Sequence, residues 1–342
     1  MSASRRRAEV QRLLRSPEPS VRWRTRVRVL GEEPADLRAS RLEEQVRTSP
    51  RARRLLTHQA SPLRDGTSRG IYHYWQGLHW ALASLADIGY PAHDPALEPA
   101  LNRTLAYWTQ ERYDRLLPDD GTGSTIARDG VVVIRGRPRR CASIHGNALL
   151  YASRLGVNDA RTRHLADLIV RWQWPDGGWN CDRDPAARVS SFMETLLTMR
   201  GLAAYAAVRR SSGARAAARR ASEVFLSRRL FRRARDGKVM RPDFLRFHYP
   251  LYWHYDVLGG LKGLAEVGGL GDARCSEALD WLESRELPTG GWPADRRYYR
   301  VSGSFEGSCE YVDWGAPRRT RSNPWVTTDA LYVLREAGRF AA

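Results

Sequence analysis

The sequence predicts an all-α protein: a double ring of helical hairpins, with apolar helices inside and amphipathic helices outside. Three observations predict it. A glycine turn recurs at Asp65-Gly66, Asp120-Gly121, Asp176-Gly177 and Asp236-Gly237, with Thr289-Gly290 in the corresponding place. Glycines 66, 121, 177, 237 and 290 therefore stand 55, 56, 60 and 53 residues apart. Such a fixed period marks a repeat architecture with one supersecondary unit per repeat. A polar amphipathic stretch precedes each turn and a more apolar one follows it, both with apolar residues at i, i+3, i+4 spacing. Strand-like alternation is nearly absent. An open superhelix of hairpins would carry the same pattern, so closure of the ring is an expectation beyond the pattern itself.

The elements follow in order. Two basic helical stretches, about residues 5–31 and 36–59, open the chain; residues 1–35 read as an N-terminal basic helical segment and 36–342 as the ring domain. "SPEPSVRWRTRVRVLG" in the first stretch also suits a HEAT-like hairpin. "GIYHYWQGLHWALASLADIG" is the first inner helix and "LEPALNRTLAYWTQERY" the first outer one. "GVVVIRG" (130–136) reads as a short β-excursion within a long loop. Inner and outer stretches then alternate: "CASIHGNALLYASRLGV", "DARTRHLADLIVRWQ", "SSFMETLLTMRGLAAYAAV", "ARAAARRASEVFLSRRL", "HYPLYWHYDVLGGLKGLAEVG", "DARCSEALDWLESREL" and "NPWVTTDALYVLREAG". Gly89, Gly156, Gly268 and Gly338 fit helix C-cap positions. Asn323 followed by Pro324 fits an N-cap and first helical position.

Composition narrows the class. Of 342 residues, 42% are apolar and 10% aromatic, which supplies a core and argues against wholesale disorder. No run approaches the 18 or so apolar residues of a transmembrane helix. The N-terminus "MSASRRRAEVQRLLRS" is basic without an apolar signal region, so the expected location is cytoplasmic. Cys141, Cys181, Cys275 and Cys309 are then expected to be free thiols or ligands. The net charge of +18 is concentrated in residues 1–56 and 209–246, and all but two of the 56 basic residues are arginines. That imbalance fits a coding bias and solvated basic faces as well as it fits a polyanion surface. Nucleic acid is not the expected partner. Contact of these segments with a membrane surface stays open, and the oligomeric state is not legible.

"QWPDGGW", Gln173 to Trp179, resembles the QW-type repeat of the terpenoid cyclase and protein prenyltransferase (squalene cyclase-like) superfamily. The likeness extends over about residues 40–340 as helix alternation and turn spacing. "ELPTGGW" (286–292) has Glu for Gln and Thr for Asp, and the other copies keep only Asp-Gly. The resemblance implies an α/α toroid. It implies that Trp174 and Trp179 staple an outer helix to an inner one. It further implies a hydrophobic, isoprenoid-like small molecule bound or transformed in an aromatic-lined central cavity. The family's chemical motifs do not follow. Asp-x-Asp-Asp is missing, with Asp182-Arg183-Asp184 only a fragment of it. Asp119-Asp120 is followed by Gly, Thr and Gly, not by the Asp-Asp-x-x-Asp pattern. The Asp, Cys and His zinc ligands of prenyltransferase β-subunits do not all map. "HGNALL" is faintly similar to the His-Gly of lanthionine-synthetase toroids, which use a Cys-Cys-His zinc site. A cyclase or transferase therefore stands beside a non-catalytic toroid that binds a hydrophobic ligand or a partner protein.

In a toroid the inner helices aim their N-terminal ends at one mouth, which selects the candidate site. Asp256, Asp182 and Glu194 are the candidate acids or bases, with His254 tuning them. Tyr72, Trp75, His79, Tyr249 and Trp253 are the candidate substrate wall, aromatic faces worth ~0.5–2 kcal/mol each to a cation. Asp313 and Arg321 join them from the last repeat. Tyr249, Trp253 and Asp256, at i, i+4 and i+7, would share one helix face. Cys141 and His145, at i and i+4, would share a metal, and Cys181, or His254 with Asp256, would complete a tetrahedral zinc site. Arg318, Arg319 and Arg321 before the Asn323 cap suggest a site for a diphosphate or carboxylate.

Overall fold

The computed structural model describes residues 3–34, 41–57, 68–118, 130–301, 309–310 and 312–340. The Asp65-Gly66 and Asp120-Gly121 turns and the Asp119-Asp120 pair lie outside the described residues. The fold is predominantly helical. Helix α1 spans Ala3–Leu14; α2, Pro19–Arg24, runs on as a π-helical segment, Thr25–Leu30; α3 (Leu42–Arg47), α4 (Pro50–Thr57) and α5 (Ser68–Tyr72) follow. Four hairpins and a final helix make up the rest: α6 (Leu78–Asp87) with α7 (Glu98–Trp108), α8 (Ala142–Arg154) with α9 (Ala160–Arg171), α10 (Phe192–Arg209) with α11 (Ser212–Leu226), α12 (Val257–Glu266) with α13 (Ser276–Ser284), and α14 (Pro324–Glu336). A small sheet forms where "GVVVIRG" predicts strand. In it β1 (Leu116–Pro118) pairs parallel with β2 (Val131–Ile134), which pairs antiparallel with β3 (Arg137–Pro138), Leu116 facing Val131 and Ile134 facing Arg137.

Apolar and polar helices sort into two layers. In α6 eight of ten residues are buried, against five of twelve in α9, so the first is surrounded and the second covers. The even-numbered helices touch in series from α6 to α14, while α7, α9, α11 and α13 pack outside them. The inner helices run the same way. Glu194 meets Ser143 in the first turns of α10 and α8, and Arg154 meets Asp87 and Glu266 where α8, α6 and α12 end. Helices α1 and α2 pack on α14, and Arg24 and Arg28 ion-pair with both Asp87 and Asp329. The N-terminal helices thus stand between the last inner helix and the first. The glycines at 89, 156, 268 and 338 all have positive φ after their helices, as C-caps require.

Two inner helices meet backbone to backbone. A Cβ on Gly201 would lie 2.1 Å from the Gly146 carbonyl oxygen, and one on Gly146 would lie 2.3 Å from Thr198 Cα. Backbone cannot swing aside as a side chain can. Gly201→Ala is therefore expected to cost about 1–3 kcal/mol by overpacking, read as a lower urea midpoint at unchanged slope. Gly213→Ala in α11, where nothing lies within 4 Å, is the neutral control.

The turns at 173–179 and 286–292 are staples built alike. Trp179 Nε1 donates to the Ile169 carbonyl of α9 at 2.9 Å, and its backbone N–H donates to Thr195 Oγ1 of α10. Trp292 repeats this with the Leu282 carbonyl of α13 at 2.7 Å and Thr327 Oγ1 of α14. Both indoles are buried. Gln173 Nε2 donates to Gly177 and Ala217 carbonyls, tying the turn to α11. Trp174 differs from expectation: its Nε1 donates to the Pro138 carbonyl, so it fastens the turn to β3 rather than to a helix. Gly177 has φ +95°, and a Cβ there would strike the Arg220 carbonyl at 2.3 Å, so both its conformation and its surroundings require glycine.

Residues 249–256 are not helical. Helix α12 begins at Val257 with Asp256 as its N-cap, Oδ1 accepting from Gly259 N at 2.7 Å. Pro250 and the cap exclude a continuous helix through this stretch, so Tyr249, Trp253 and Asp256 do not share a helix face. Among the described residues no helix is long and apolar enough to cross a membrane.

Candidate functional site

The end of the molecule where α8 and α10 begin brings three potential metal ligands together. Cys141 is the N-cap of α8, Glu194 lies in the first turn of α10, and Cys181 sits in the loop after the Gln173–Trp179 turn. One ligand atom from each lies within 4.8 Å of the others, and Cys181 Sγ is 3.5 Å from Glu194 Oε1. A tetrahedral zinc with bonds of ~2.3 Å to sulfur and ~2.1 Å to oxygen sets sulfur and oxygen about 3.6 Å apart, so the pair already has the required span. Glu194 Oε2 accepts from Ser143 N at 3.0 Å, which fixes the carboxylate.

The loop carrying Cys181 is held along its length. Buried Arg139, stacked 4.4 Å over Trp174, donates to the Asp182 and Ala187 carbonyls. Asp176 accepts from Ser190 N at 2.7 Å and Ser190 Oγ at 2.6 Å. The two thiols share a hydrogen bond, which lowers the Cys141 pKa and raises that of Cys181; burial and Glu194 add to the rise. Burial raises the Glu194 carboxyl as well. A cation bound here would displace protons from these groups.

His145 does not join this group. It is fully buried, edge-on to Trp108, Tyr113 and Trp172 at 4.7–5.4 Å, and burial drives its pKa well down. The i, i+4 spacing from Cys141 is real, but Cys141 is a cap rather than a helical residue, and Glu194, not His145, lies within reach of the two thiols. Asp182 is an exposed turn residue, its Oδ1 accepting from Asp184 N at 2.9 Å; it is no buried acid.

Asp256 pairs with His248 rather than His254. Asp256 Oδ2 lies 2.8 Å from His248 Nδ1 and accepts from His248 N at 3.0 Å. This fixes the ring and leaves Nε2 without a partner among the described residues, beside the central cavity that both residues line. A carboxylate-oriented imidazole of this kind is equipped to accept a proton. His254 instead stacks between Trp253 at 4.2 Å and Tyr298 at 3.4 Å. Burial and His248 lower its pKa to about 3, so it stays neutral.

The aromatic residues form a continuous belt. Tyr72 touches Tyr74, His79 and Trp80 at 5.5 Å, and its hydroxyl pKa is raised by burial, with Tyr74, Cys141 and Glu194 adding to it. Trp75 stacks on Tyr252 at 3.9 Å and lies 5.7 Å from His254. His79 is a core residue, its Nε2 3.0 Å from Asn147 Nδ2 and its pKa lowered to about 3 by burial. Tyr249 stacks on Trp325, donates to Asp87 Oδ2 at 2.9 Å and lines the same cavity as Trp80, Tyr252 and His248.

The start of α14 is capped from within the chain. Asn323 Oδ1 accepts from Trp325 N and Val326 N, so the cap satisfies the helix. Arg318, Arg319 and Arg321 are exposed, and Asp313 turns its own loop by accepting from Gly315 N.

Sequence reasoning missed a second polar centre where the inner helices end. Lys262 Nζ lies 2.9 Å from Asp329 and 3.4 Å from Asp87, with Arg24, Arg28 and Arg154 around them and Arg200 on Glu266 at 2.7 Å. Burial pushes the Lys262 ammonium down to about 7 against the pull of Asp329 and Asp87. Burial would raise Asp329, but Arg24 and Lys262 outweigh it and hold it at about 2. The available signal was a lone lysine in the apolar run "VLGGLKGLAE". The cavity joining this centre to the His248–Asp256 pair measures about 70 Å³.

No family model matches the chain, and no curated protein matches it. Among solved structures it is similar to one described as the crystal structure of a protein from Actinoplanes, at 18% identity and a TM-score of 0.44 over 98% of each chain.

Proposed function

We propose that this protein is a zinc-dependent enzyme built on a closed α/α toroid of the terpenoid cyclase and prenyltransferase type. The observation that carries the proposal is the convergence of Cys141, Cys181 and Glu194 on one point. Three protein ligands leave one position of a tetrahedral zinc open, the pattern of catalytic rather than structural sites. When bound, zinc supplies Lewis acidity and a water or thiol made nucleophilic near neutral pH. The protein's own residues do the rest. Arg139 and the QW turn hold Cys181, Ser143 orients Glu194, and Tyr72 flanks the centre. The aromatic belt from Tyr74 to Trp75 and His254 offers a hydrophobic, isoprenoid-like substrate a surface across the mouth. A cavity of about 70 Å³ falls well short of the several hundred Å³ of a usual ligand pocket, so the substrate body belongs at the mouth and not inside the ring. His248, oriented by Asp256, is the proton acceptor for any group that reaches inward. Support for ring closure comes from the serial contacts of α6 through α14 and the arginines that bridge α14 back to α6.

A second reading, a non-catalytic ring that binds a hydrophobic ligand or partner protein, draws on the ion-paired plug in its centre. Metal analysis separates the two. Purified protein is expected to carry one zinc per chain. Cys141→Ser and Cys181→Ser should lose it with the helical circular dichroism unchanged, and cobalt substitution should produce thiolate-to-cobalt bands. Zinc-free protein with both thiols freely reactive would leave the scaffold reading standing.

A further inference from the structure

The four cysteines fall into two classes. Cys275 and Cys309 are buried, whereas Cys141 and Cys181 are both partly exposed, so a small reagent in solution reaches them. The exposed pair comes from different elements, the cap of α8 and the loop that precedes α10. Even so, the two sulfurs lie within 4.8 Å of each other. A disulfide sets its sulfurs about 2.05 Å apart. Turning a cysteine from one staggered χ1 to the next carries its sulfur about 3 Å, a step as large as the gap to be closed.

The loop keeps the pair together. Arg139 holds the Asp182 and Ala187 carbonyls on the C-terminal side of Cys181, and Asn180 Nδ2 donates to the Val189 carbonyl at 3.0 Å on the other. Two groups fixed as neighbours react with each other far faster than with partners arriving from solution. Once one of these sulfurs is oxidised, the other is the nucleophile at hand.

We propose that Cys141 and Cys181 are a reversible disulfide pair, closed by hydrogen peroxide and opened by thiols. One sulfur attacks the O–O bond and becomes a sulfenic acid, and the other oxygen leaves as water with the thiol proton. The second sulfur then displaces the sulfenic hydroxyl, which forms the S–S bond and releases a second water. The two thiols supply both electrons and both protons, and the peroxide takes them. Exchange with a dithiol reductant reverses the step. The consequence for metal follows from counting ligands. Oxidation removes two of the three at once, and Glu194 alone does not make a zinc site. Release of zinc on oxidation rests on the proposed metal centre; the disulfide itself does not.

The test is exposure of the purified, folded full chain to hydrogen peroxide, both metal-stripped and after loading with zinc chloride. Stripped protein should lose two thiols per chain. Peptide mass mapping should find Cys141 joined to Cys181, with Cys275 and Cys309 still reduced, and dithiothreitol should restore both thiols. In loaded protein a chromogenic chelator should register zinc release in step with thiol loss. Cys141→Ser and Cys181→Ser, with helical circular dichroism unchanged, should form no disulfide within the chain. The proposal fails if peroxide takes the two sulfurs to sulfinic acids without joining them. It also fails if the bond appears only after denaturation, or if dithiothreitol does not reopen it. A disulfide in protein that binds no zinc keeps the proposal and removes the metal reading. Zinc binding with no disulfide in stripped protein overturns the proposal and keeps that reading.

Discussion

Replacing Asp329 by alanine is expected to destabilise the protein by about 3–5 kcal/mol, the cost of removing one partner from a buried ion pair. Its carboxylate takes hydrogen bonds from Arg24, Arg28 and Lys262. Without it those cations face one another with Asp87 as their shared counter-ion. Asp329→Asn keeps the shape and an acceptor oxygen but not the charge, so its loss should be smaller. The pH dependence provides a second readout. The folded carboxyl sits at about 2, below the ordinary 3.8. A depressed acid contributes stability that is fully present above the unfolded value and is lost as pH falls through 3.8 toward 2. Acid unfolding of the parent should be steep in that window and shallower in Asp329→Asn, whereas at pH 7 the variant should be uniformly weaker. Equal acid profiles for the two would show that the carboxylate's charge contributes nothing.

Trp179→Ala and Trp292→Ala should each cost about 3–5 kcal/mol, the usual range for emptying a buried aromatic site. Both indoles are buried and both join an outer helix to the inner helix that follows. Phenylalanine at either position retains most of the apolar area and removes one hydrogen bond to a carbonyl that still accepts from Trp172 N or Arg285 N, a cost of about 0.5–1.5 kcal/mol. The two tryptophans differ in a useful respect. Trp179 precedes Cys181 by two residues, so Trp179→Phe should also weaken zinc binding, while Trp292→Phe should not. Equal zinc affinity in both variants would uncouple the staple from the proposed metal site.

What the sequence reveals depends on how local the cause is. The staples, the glycine C-caps, the Asn323 cap and the β-excursion each follow from a few adjacent residues, and each appears where the residues indicate. Cys141, Cys181 and Glu194 are each legible as candidates, because each stands at or shortly before the start of an apolar helix. Their grouping is not, since Cys141–His145 satisfies helical spacing as well as Cys141–Glu194 satisfies space. The choice of His248 over His254 is hidden for a related reason: a capped helix start turns Asp256 back along the chain, and spacing arguments assume that the helix continues. The Lys262 centre lies furthest from view, because Arg24 and Asp329 are 305 residues apart and nothing local links them.

That separation bears on how the molecule is made. Arg24 and Arg28 leave the ribosome long before Asp329, their partner 301 to 305 positions downstream, is synthesised. Through most of translation these arginines have only Asp87 to neutralise them, and the apolar flank that will receive α14 is bare. Such a nascent chain offers chaperones a persistent handle, and a product cut short before residue 324 keeps that seam open for proteases to find. Docking of α14 on that seam therefore locks together segments some 300 positions apart, and α1, α2 and α14 should open to hydrogen exchange as one unit.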